Sequence, residues 1–182
     1  MRSFNKVLLL SFAFLTFSLV GVNAQTYSGE VSTSALEREV QRQINKLPYY
    51  ELFDHISFTV DGGVVTLDGK VRNATNKSEA AAAVKRLAGV EKVVNNIEVL
   101  PIGGFDETIR RDLARSIANH GGLSRYMHAV NPSIRLIVEN GHITLEGSVA
   151  TSTDVNLANI AARSVRNAFS VTNNLKVDKK AG

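Results

Sequence analysis

The sequence contains no cysteine. This absence excludes disulfide bonds, thiolate catalysis and thiolate metal sites. It also removes the residue to which lipid is attached in a bacterial lipoprotein, so we expect a protein without that anchor. Neither sign of charge is in large excess. The formal net charge of +4 falls to +2, from 19 basic and 17 acidic residues, once residues 1–24 are removed. A balance this close to neutral is a poor basis for binding nucleic acid, and we predict no nucleic-acid partner.

Long hydrophobic segments are also lacking, apart from the run VLLLSFAFLTFSLV at residues 7–20. Its 14 residues are fewer than the roughly 20 that span a bilayer. Arg2 and Lys6 precede the run, and Ala24 supplies the small residue that a signal peptidase needs. We therefore predict a signal peptide over residues 1–24, cleaved after Ala24, and an exported, periplasmic protein, with an uncleaved membrane anchor as the alternative.

A repeated segment organises the remaining chain. ISFTVDGGVVTLDGKV at residues 56–71 returns, aligned without a gap, as IRLIVENGHITLEGSV at residues 134–149. Apolar residues alternate with polar ones in each copy, as in a strand with one buried face. Asp-Gly at 61–62 and Asn-Gly at 140–141 are dipeptides that favour tight hairpin turns. Each copy is therefore predicted to form a β-hairpin.

Matching segments flank both hairpins and predict two domains of one design. A helix precedes each hairpin, with apolar residues at spacing four, and an alanine-rich helix and a third strand follow it. The polar leader of residues 25–33 is predicted to be flexible. We predict an α+β protein of two tandem α-β-β-α-β domains, each a three-stranded mixed sheet packed against two helices: domain 1 at 34–100, a linker at 101–104, domain 2 at 105–178 and a tail at 179–182.

Two details of these segments are specific predictions. Asn76 with Glu79, and Thr151 with Asp154, have the spacing of a helix N-terminal capping box. The second domain also has five extra residues between its first helix and first strand, within 120–133. Since inserted sequence on a repeated scaffold is a common place for function, this segment is a candidate functional region.

The repeated motifs resemble those of BON domains, which occur in bacterial periplasmic and outer-membrane-associated proteins. The first copy carries GVVTLDGKV (63–71) and GVEKVVNNIEV (89–99), and the second carries GHITLEGSV (141–149) and VTNNLKV (171–177). The second copy departs from the family pattern at Asn167-Ala168, where Gly-Val is usual. The resemblance implies a binding module with no catalytic residues and no cofactor. It also implies phospholipid binding and a role in envelope maintenance or osmotic stress.

Groups that look catalytic or metal-binding are few. Asp54, His55 and Ser57 lie at the entrance to a strand whose side chains alternate between faces, so they are not expected to converge. His120 and His128 flank a Gly-Gly pair, and metal sites need several converging ligands. We predict that the protein is not an enzyme and holds no metal.

Anionic phospholipid is the predicted partner, contacted mainly by domain 2. The helix before the second hairpin is expected to turn Arg110, Arg111 and Arg115 to solvent, and cations beside an amphipathic aromatic favour an anionic lipid interface. Leu123, Tyr126, Met127 and Val130 would form one face of a short helical segment, which either contacts lipid or closes the core. A protein–protein interaction module for another envelope protein, using a sheet edge or residues 120–130, is the alternative function. The predicted lipid-contact residues are Arg110, Arg111, Arg115, Leu123, Arg125, Tyr126 and Met127.

Overall fold

The computed structural model describes residues 32–128 and 130–178. The predicted signal peptide, nearly all of the leader and the tail lie outside the described residues. Domain 1 contains α1 (Thr33–Ile44), β1 (His55–Asp61), β2 (Val64–Val71), α2 (Ala74–Lys85), β3 (Lys92–Asn95) and β4 (Glu98–Val99). Domain 2 contains α3 (Gly104–Asn119), a 3₁₀ helix (Leu123–Tyr126), β5 (Ile134–Glu139), β6 (His142–Val149), α4 (Ser152–Arg163), β7 (Ser170–Asn173) and β8 (Lys176–Val177). The predicted α+β class and the tandem arrangement are confirmed.

Both sheets are mixed, with the hairpin at one edge. β1 pairs with β2 in antiparallel register, and β3 and β4 pair with β2 in parallel register. Domain 2 repeats this arrangement with β5, β6, β7 and β8. Because β2 and β3 are parallel, α2 forms the crossover between them. The first turn is Gly62-Gly63 and not the predicted dipeptide, since residue 61 pairs with residue 64.

The third strand of each domain is divided into two short segments by an Asn-Asn pair. Asn95 Oδ1 accepts from the Ile97 backbone N–H at 3.2 Å, and Asn95 Nδ2 donates to the Lys77 carbonyl at 2.8 Å. Asn173 makes the same two contacts in domain 2, with Leu175 and Val155. Each asparagine side chain thus accepts from a backbone N–H that would point toward a neighbouring strand if the third strand were continuous. The strand is therefore interrupted at this point.

The helix starts agree with one capping prediction and contradict the other. Thr151 caps α4 and accepts from the Asp154 backbone N–H at 3.1 Å, which confirms Thr151 as the cap. The Asp154 carboxylate accepts from the Thr151 hydroxyl at 2.7 Å and not from its backbone N–H, so the reciprocal half of a capping box is replaced by a contact between the side chains. The cap of α2 is Asn73, which accepts from the Thr75 N–H at 2.9 Å. The predicted cap at Asn76 is wrong, because Asn73 offers the same kind of side chain one turn earlier and the helix begins there. Asn76 is instead buried inside the first turns of α2.

Each domain has its own apolar core. In domain 1 the helical residues Leu36, Val40 and Ile44 are buried against the hairpin and α2. In domain 2 their counterparts are Ile109, Leu113 and Ile117. The spacing-four patterns of the sequence are thus confirmed as the inward faces of α1 and α3.

The domains contact one another through the loop that precedes β1. Leu52 and Phe53 pack against the core of domain 2, and the Leu52 carbonyl accepts from the Leu136 backbone N–H at 2.9 Å. The edge strand β5 is buried at every position from Ile134 to Val138, whereas β1 alternates between buried and exposed positions. Domain 1 therefore covers part of the edge strand of domain 2, which would otherwise be open to another chain.

Candidate functional site

Arg110 lies on the inward face of α3, so the prediction that it faces solvent is wrong. Its side chain is 2% exposed. The guanidinium donates to the Val138 carbonyl at 2.7 Å and to the Glu107 carboxylate at 3.4 Å. The position follows from helical spacing: residue 110 is four after buried Asp106 and three before buried Leu113, which places all three on one face. Arg110 therefore ties α3 to β5.

Arg111 and Arg115 are exposed on the outward face of α3, as predicted. Arg111 donates to Thr108 Oγ1 at 3.2 Å, and no carboxylate of the described residues lies within 4.0 Å of its guanidinium. Arg115 forms an ion pair with Asp112 at 3.2 Å. Arg38 and Arg42 occupy the matching positions of α1. The two helices thus share these cations, and they differ at the position of Arg110, where α1 has the exposed Glu37.

An exposed aromatic pair lies at the N-terminal end of α3. Phe105 is 49% exposed and Phe169 is 69% exposed, and their ring centroids are 5.6 Å apart. Gly141 lies beneath the rings with φ of +81°, where a Cβ would come within 2.7 Å of Phe169. The matching residues of domain 1 are Ser32 and Glu91, so the pair belongs to domain 2 alone. The sequence predictions did not include these residues, although Phe169 follows the Asn167-Ala168 departure from the family motif.

The inserted segment mainly closes the core of domain 2. Leu123 is fully buried, and Tyr126 and Met127 pack against the same core. Among the alternatives for this segment, core closure is therefore correct for Leu123, which is not available to lipid. Val130 is 93% exposed, so the predicted stripe does not extend to it. The 3₁₀ helix ends at Tyr126, so the helical spacing that would place Val130 on the same face as Leu123 ends there too.

Arg125 and Tyr126 are held by the buried carboxylate of Asp154. Tyr126 Oη donates to Asp154 Oδ2 at 2.9 Å, and Arg125 Nη2 donates to Asp154 Oδ1 at 2.8 Å. The Thr151 hydroxyl, followed by these two donors, lowers the pKa of Asp154. Tyr126 Oη also accepts from the Ala150 N–H at 2.9 Å. The phenol is thus engaged inside domain 2, while Arg125 is half exposed at the rim.

The residues that resemble a catalytic group do not converge. Asp54 is buried and accepts from the Glu51 and Arg72 backbone N–H groups, at 2.9 Å and 2.6 Å. His55 Nε2 lies 4.0 Å from Glu146, and the exposed Ser57 hydroxyl is directed toward the Asp68 carbonyl. Burial raises the pKa of Asp54.

Histidine and carboxylate side chains form no cluster of three or more that could hold a metal within residues 32–128 and 130–178. His120 Nδ1 is 2.7 Å from the Ser116 carbonyl, and His128 is exposed. Over the same residues, no helix has both the length and the hydropathy needed to cross a bilayer.

The two docked α-β-β-α-β domains define a tandem-domain α+β protein, whose second domain exposes arginines on α3 and an aromatic pair. The family model described as "BON domain" matches residues 32–101 and again residues 105–179. The chain therefore belongs to the BON-domain family, and the resemblance inferred from the repeated motifs is confirmed.

Similar proteins include one from a bacterial outer membrane. The chain is 26% identical over 146 residues to "Outer membrane lipoprotein DolP" of Haemophilus influenzae, across 79% of this chain and 74% of that protein. Among solved structures, the C-terminal domain of CdsD, the structural protein of the type III secretion system of Chlamydia trachomatis, is 18% identical with a TM-score of 0.30. That match covers 78% of this chain and 64% of the CdsD chain. A second CdsD structure is 14% identical, also with a TM-score of 0.30, over 80% and 94% of the two chains.

Proposed function

We propose that this is a non-catalytic protein of the bacterial cell envelope that binds anionic phospholipid surfaces through domain 2. Its role is envelope maintenance or survival of osmotic stress. Residues 1–24 direct export, and cleavage after Ala24 leaves a periplasmic protein. Its relative from Haemophilus influenzae is named as a lipoprotein, but the 182 residues here contain no cysteine to carry lipid. We propose that its association with the membrane is peripheral.

The observation that carries this proposal is the outward face of α3. Arg111 and Arg115 project to solvent there, and Phe105 lies on the same helix beside Phe169. At an anionic bilayer surface, arginines bind phosphates while aromatic rings enter the headgroup region. α1 has the two arginines without the aromatic pair, and it adds Glu37. Of these two helices, only α3 therefore combines exposed arginines with an exposed aromatic pair.

The helix α4 extends this surface sideways. Ser116 Oγ donates to the Ala161 carbonyl at 2.8 Å, so α4 lies directly beside α3. Ile160, next to that contact, is exposed. Each cation near an anionic membrane contributes about 1 kcal/mol, so Arg111 and Arg115, with Arg125 at the rim, give weak and salt-sensitive binding. Of the seven residues predicted for lipid contact, these three arginines remain in the proposed surface, and Phe105, Ile160 and Phe169 join them.

Flotation of the full chain with phosphatidylglycerol-containing vesicles tests the proposal. The variant Arg111→Glu/Arg115→Glu should weaken binding about ten-fold or more, because each reversal replaces attraction with repulsion. The matched control is Arg38→Glu/Arg42→Glu, which makes the same changes at the same positions of α1 and should float like the wild type. Equal losses in both variants would contradict a site on domain 2.

A protein partner in the envelope is the second candidate function. A groove of about 530 Å³ lies beside the linker, lined by Tyr49, Val99 and Ile102, and these three side chains are exposed. Apolar side chains exposed together on a folded protein are characteristic of interaction surfaces. If the wild-type chain does not float with anionic vesicles at low salt, this groove becomes the preferred site of contact.

A further inference from the structure

A polar cavity of about 280 Å³ lies at the junction of the two domains. Domain 1 contributes loop and helix residues, and domain 2 contributes the start of β5 and the end of β6. Hydroxyl, carboxamide and cationic groups line it, among them Asn45, Tyr50, His55, Ser133, Arg135 and Ser148. This cavity is separate from the proposed membrane surface on α3, and its function can be tested separately.

Arg135 is the buried cation of this cavity. It is 6% exposed, and its guanidinium stacks over the Tyr50 ring at 4.2 Å from the centroid. Arg135 Nη1 donates to the Glu51 carbonyl at 2.8 Å. A guanidinium carries five N–H donors, and among the described residues this carbonyl is the acceptor found for them. None of the described carboxylates lies within 4.0 Å of it, as an ion pair would require.

Two carboxyl groups lie in the neighbourhood of Arg135, and both are engaged elsewhere. Glu146 is the cross-strand partner of Arg135, but its Oε1 accepts from Asn174 Nδ2 at 2.6 Å and its Oε2 is turned toward His55. Asp54 accepts from two backbone N–H groups and from Asn76 Nδ2. Within residues 32–128 and 130–178, the charge of Arg135 is therefore not neutralised by a direct partner.

The other guanidinium nitrogens of Arg135 are not sealed inside the protein, so they are open to a ligand in the cavity. A bound counter-ion there would supply the partner that this largely buried charge lacks. The flat guanidinium matches the oxygens of a carboxylate or phosphate. Ser133, which immediately precedes β5, lines the cavity together with Arg135. The Ser148 N–H donates to the Ser133 carbonyl at 2.8 Å, so Ser148 lies opposite Ser133. We infer that this cavity binds a small hydroxylated oxyanion, its phosphate or carboxylate on Arg135 and its hydroxyl groups on the serines and carboxamides.

The cavity has room for a ligand of several heavy atoms. Its volume of about 280 Å³ is many times the roughly 10–15 Å³ that a cavity needs to hold one water molecule. Both domains line it, so a bound anion would add contacts between them and stabilise the docked arrangement. The phosphate could belong to a free polyol phosphate or to a glycerophosphate headgroup of a lipid.

Calorimetric titration of the full chain with glycerol 3-phosphate, and thermal unfolding in its presence, test this inference. We expect binding and a raised Tm with glycerol 3-phosphate and none with glycerol. Arg135→Gln should weaken binding about ten-fold or more, since hydrogen bonds to a charged group are lost. The control Arg166→Gln removes an exposed arginine of the same domain and should bind like the wild type. Absence of binding by the wild type, or equal binding by Arg135→Gln, would overturn the inference.

A second variant keeps the test decisive if Arg135→Gln fails to fold. Ser133→Asp supplies a carboxylate beside Arg135, so it should raise the Tm without anion and abolish the further rise with glycerol 3-phosphate. A full response to glycerol 3-phosphate in this variant would contradict the site. Flotation with phosphatidylglycerol vesicles separates the two ligand sources: loss of flotation in Ser133→Asp identifies a lipid headgroup, and wild-type flotation identifies a free anion.

Discussion

The two domains hold the same backbone amide with different side chains. In domain 1, Asp54 Oδ1 accepts from the N–H of Arg72, the residue after β2, at 2.6 Å. In domain 2, Tyr126 Oη accepts at 2.9 Å from the N–H of Ala150, the matching residue after β6. The duplicated fold has thus preserved the connection between the first loop and the end of the hairpin. The residue type that makes this connection has changed.

The helical residue that contacts this loop side chain also differs between the two domains. Asn76 Nδ2 donates to Asp54 in domain 1, whereas Asp154, at the matching position, accepts from Tyr126 in domain 2. The buried carboxyl group has therefore moved from the loop to the helix. A buried polar group must find a partner, so each pair has to remain complementary whichever side carries the acid.

The same loops explain why the domains differ in exposure. The loop with Asp54 also carries Leu52 and Phe53, which pack against domain 2. The hydrogen bond between Asp54 and the Arg72 N–H therefore holds this docking segment in place. The inserted loop of domain 2 instead packs against its own core through Leu123. Domain 1 therefore covers an edge strand, and the outward face of α3 remains open.

The largest effect is expected from Leu123→Ala, which tests whether the inserted segment stabilises domain 2. This residue is fully buried in the core of domain 2, so the substitution should destabilise domain 2 by about 3 kcal/mol. Hydrogen exchange by mass spectrometry can locate the loss in domain 2. Val130→Ala, at an exposed site of the same segment, should change stability little. An unchanged exchange pattern in Leu123→Ala would mean that the segment does not support the core.

The hydrogen bonds that Tyr126 makes with the Ala150 N–H and with Asp154 are tested by Tyr126→Phe. The ring remains, but the Ala150 N–H loses its acceptor and Asp154 loses a donor, so we expect a destabilisation of about 1–2 kcal/mol. Urea denaturation measures the change, and Tyr49→Phe, at a half-exposed tyrosine of domain 1, is the control. Equal stability of Tyr126→Phe and the wild type would show that these hydrogen bonds do not stabilise domain 2.

The two buried carboxyl groups should give opposite pH dependence. The raised pKa of Asp54 means that its contribution to stability is fully present below the unfolded-state pKa of about 3.9 and is lost as pH rises through the folded-state pKa. The lowered pKa of Asp154 means that its contribution is present above about 3.9 and is lost as pH falls through the folded-state pKa.

Unfolding free energies of the wild type, Asp54→Asn and Asp154→Asn, measured between about pH 3 and pH 7, test this contrast. The advantage of the wild type over Asp54→Asn should shrink as pH rises. Its advantage over Asp154→Asn should grow. Changes of the same sign in both comparisons would contradict the assignment of the two carboxyl groups.

The smallest effect is expected at Lys70, which links the domains by charge. Lys70 pairs with Glu139 of domain 2 and lies 3.2 Å from Glu98, whereas its counterpart in domain 2 is Ser148. All three side chains are partly exposed, so Lys70→Gln should cost about 0.5 kcal/mol and less at high salt. Urea denaturation at two salt concentrations checks this. A loss several times larger would indicate that ion pairs and not Leu52 and Phe53 hold the domains together.

The sequence predicted the features that depend on short-range pattern. Alternation and spacing located the hairpins and the buried stripes of α1 and α3, because each side chain's face is set by its own element. The predicted position of Arg110 is wrong because an arginine usually faces solvent, whereas its spacing from Asp106 and Leu113 places it on the inward face of α3. The split of the third strand depends on the contact of the Asn95 side chain with the Ile97 backbone N–H, which hydrophobic periodicity does not report.

Features that depend on the approach of distant segments were missed. Phe105 and Phe169 lie at opposite ends of the domain 2 sequence, and nothing local marks them as neighbours. Arg135 lies within a strand whose pattern predicts a solvent-facing position. It is buried because the loop at Tyr50 and Glu51 covers it, and that contact spans two domains.

The most direct test of the proposed function is to ask which domain touches the membrane. Because the chain has no cysteine, one introduced cysteine can carry a fluorophore at a single chosen position. Thr108→Cys places it on the outward face of α3, and Ala35→Cys places it at the matching position of α1. With anionic vesicles that contain a quenching lipid, we predict quenching of the label at 108 and little at 35. Equal quenching at both positions, or quenching at 35 alone, would contradict binding through domain 2.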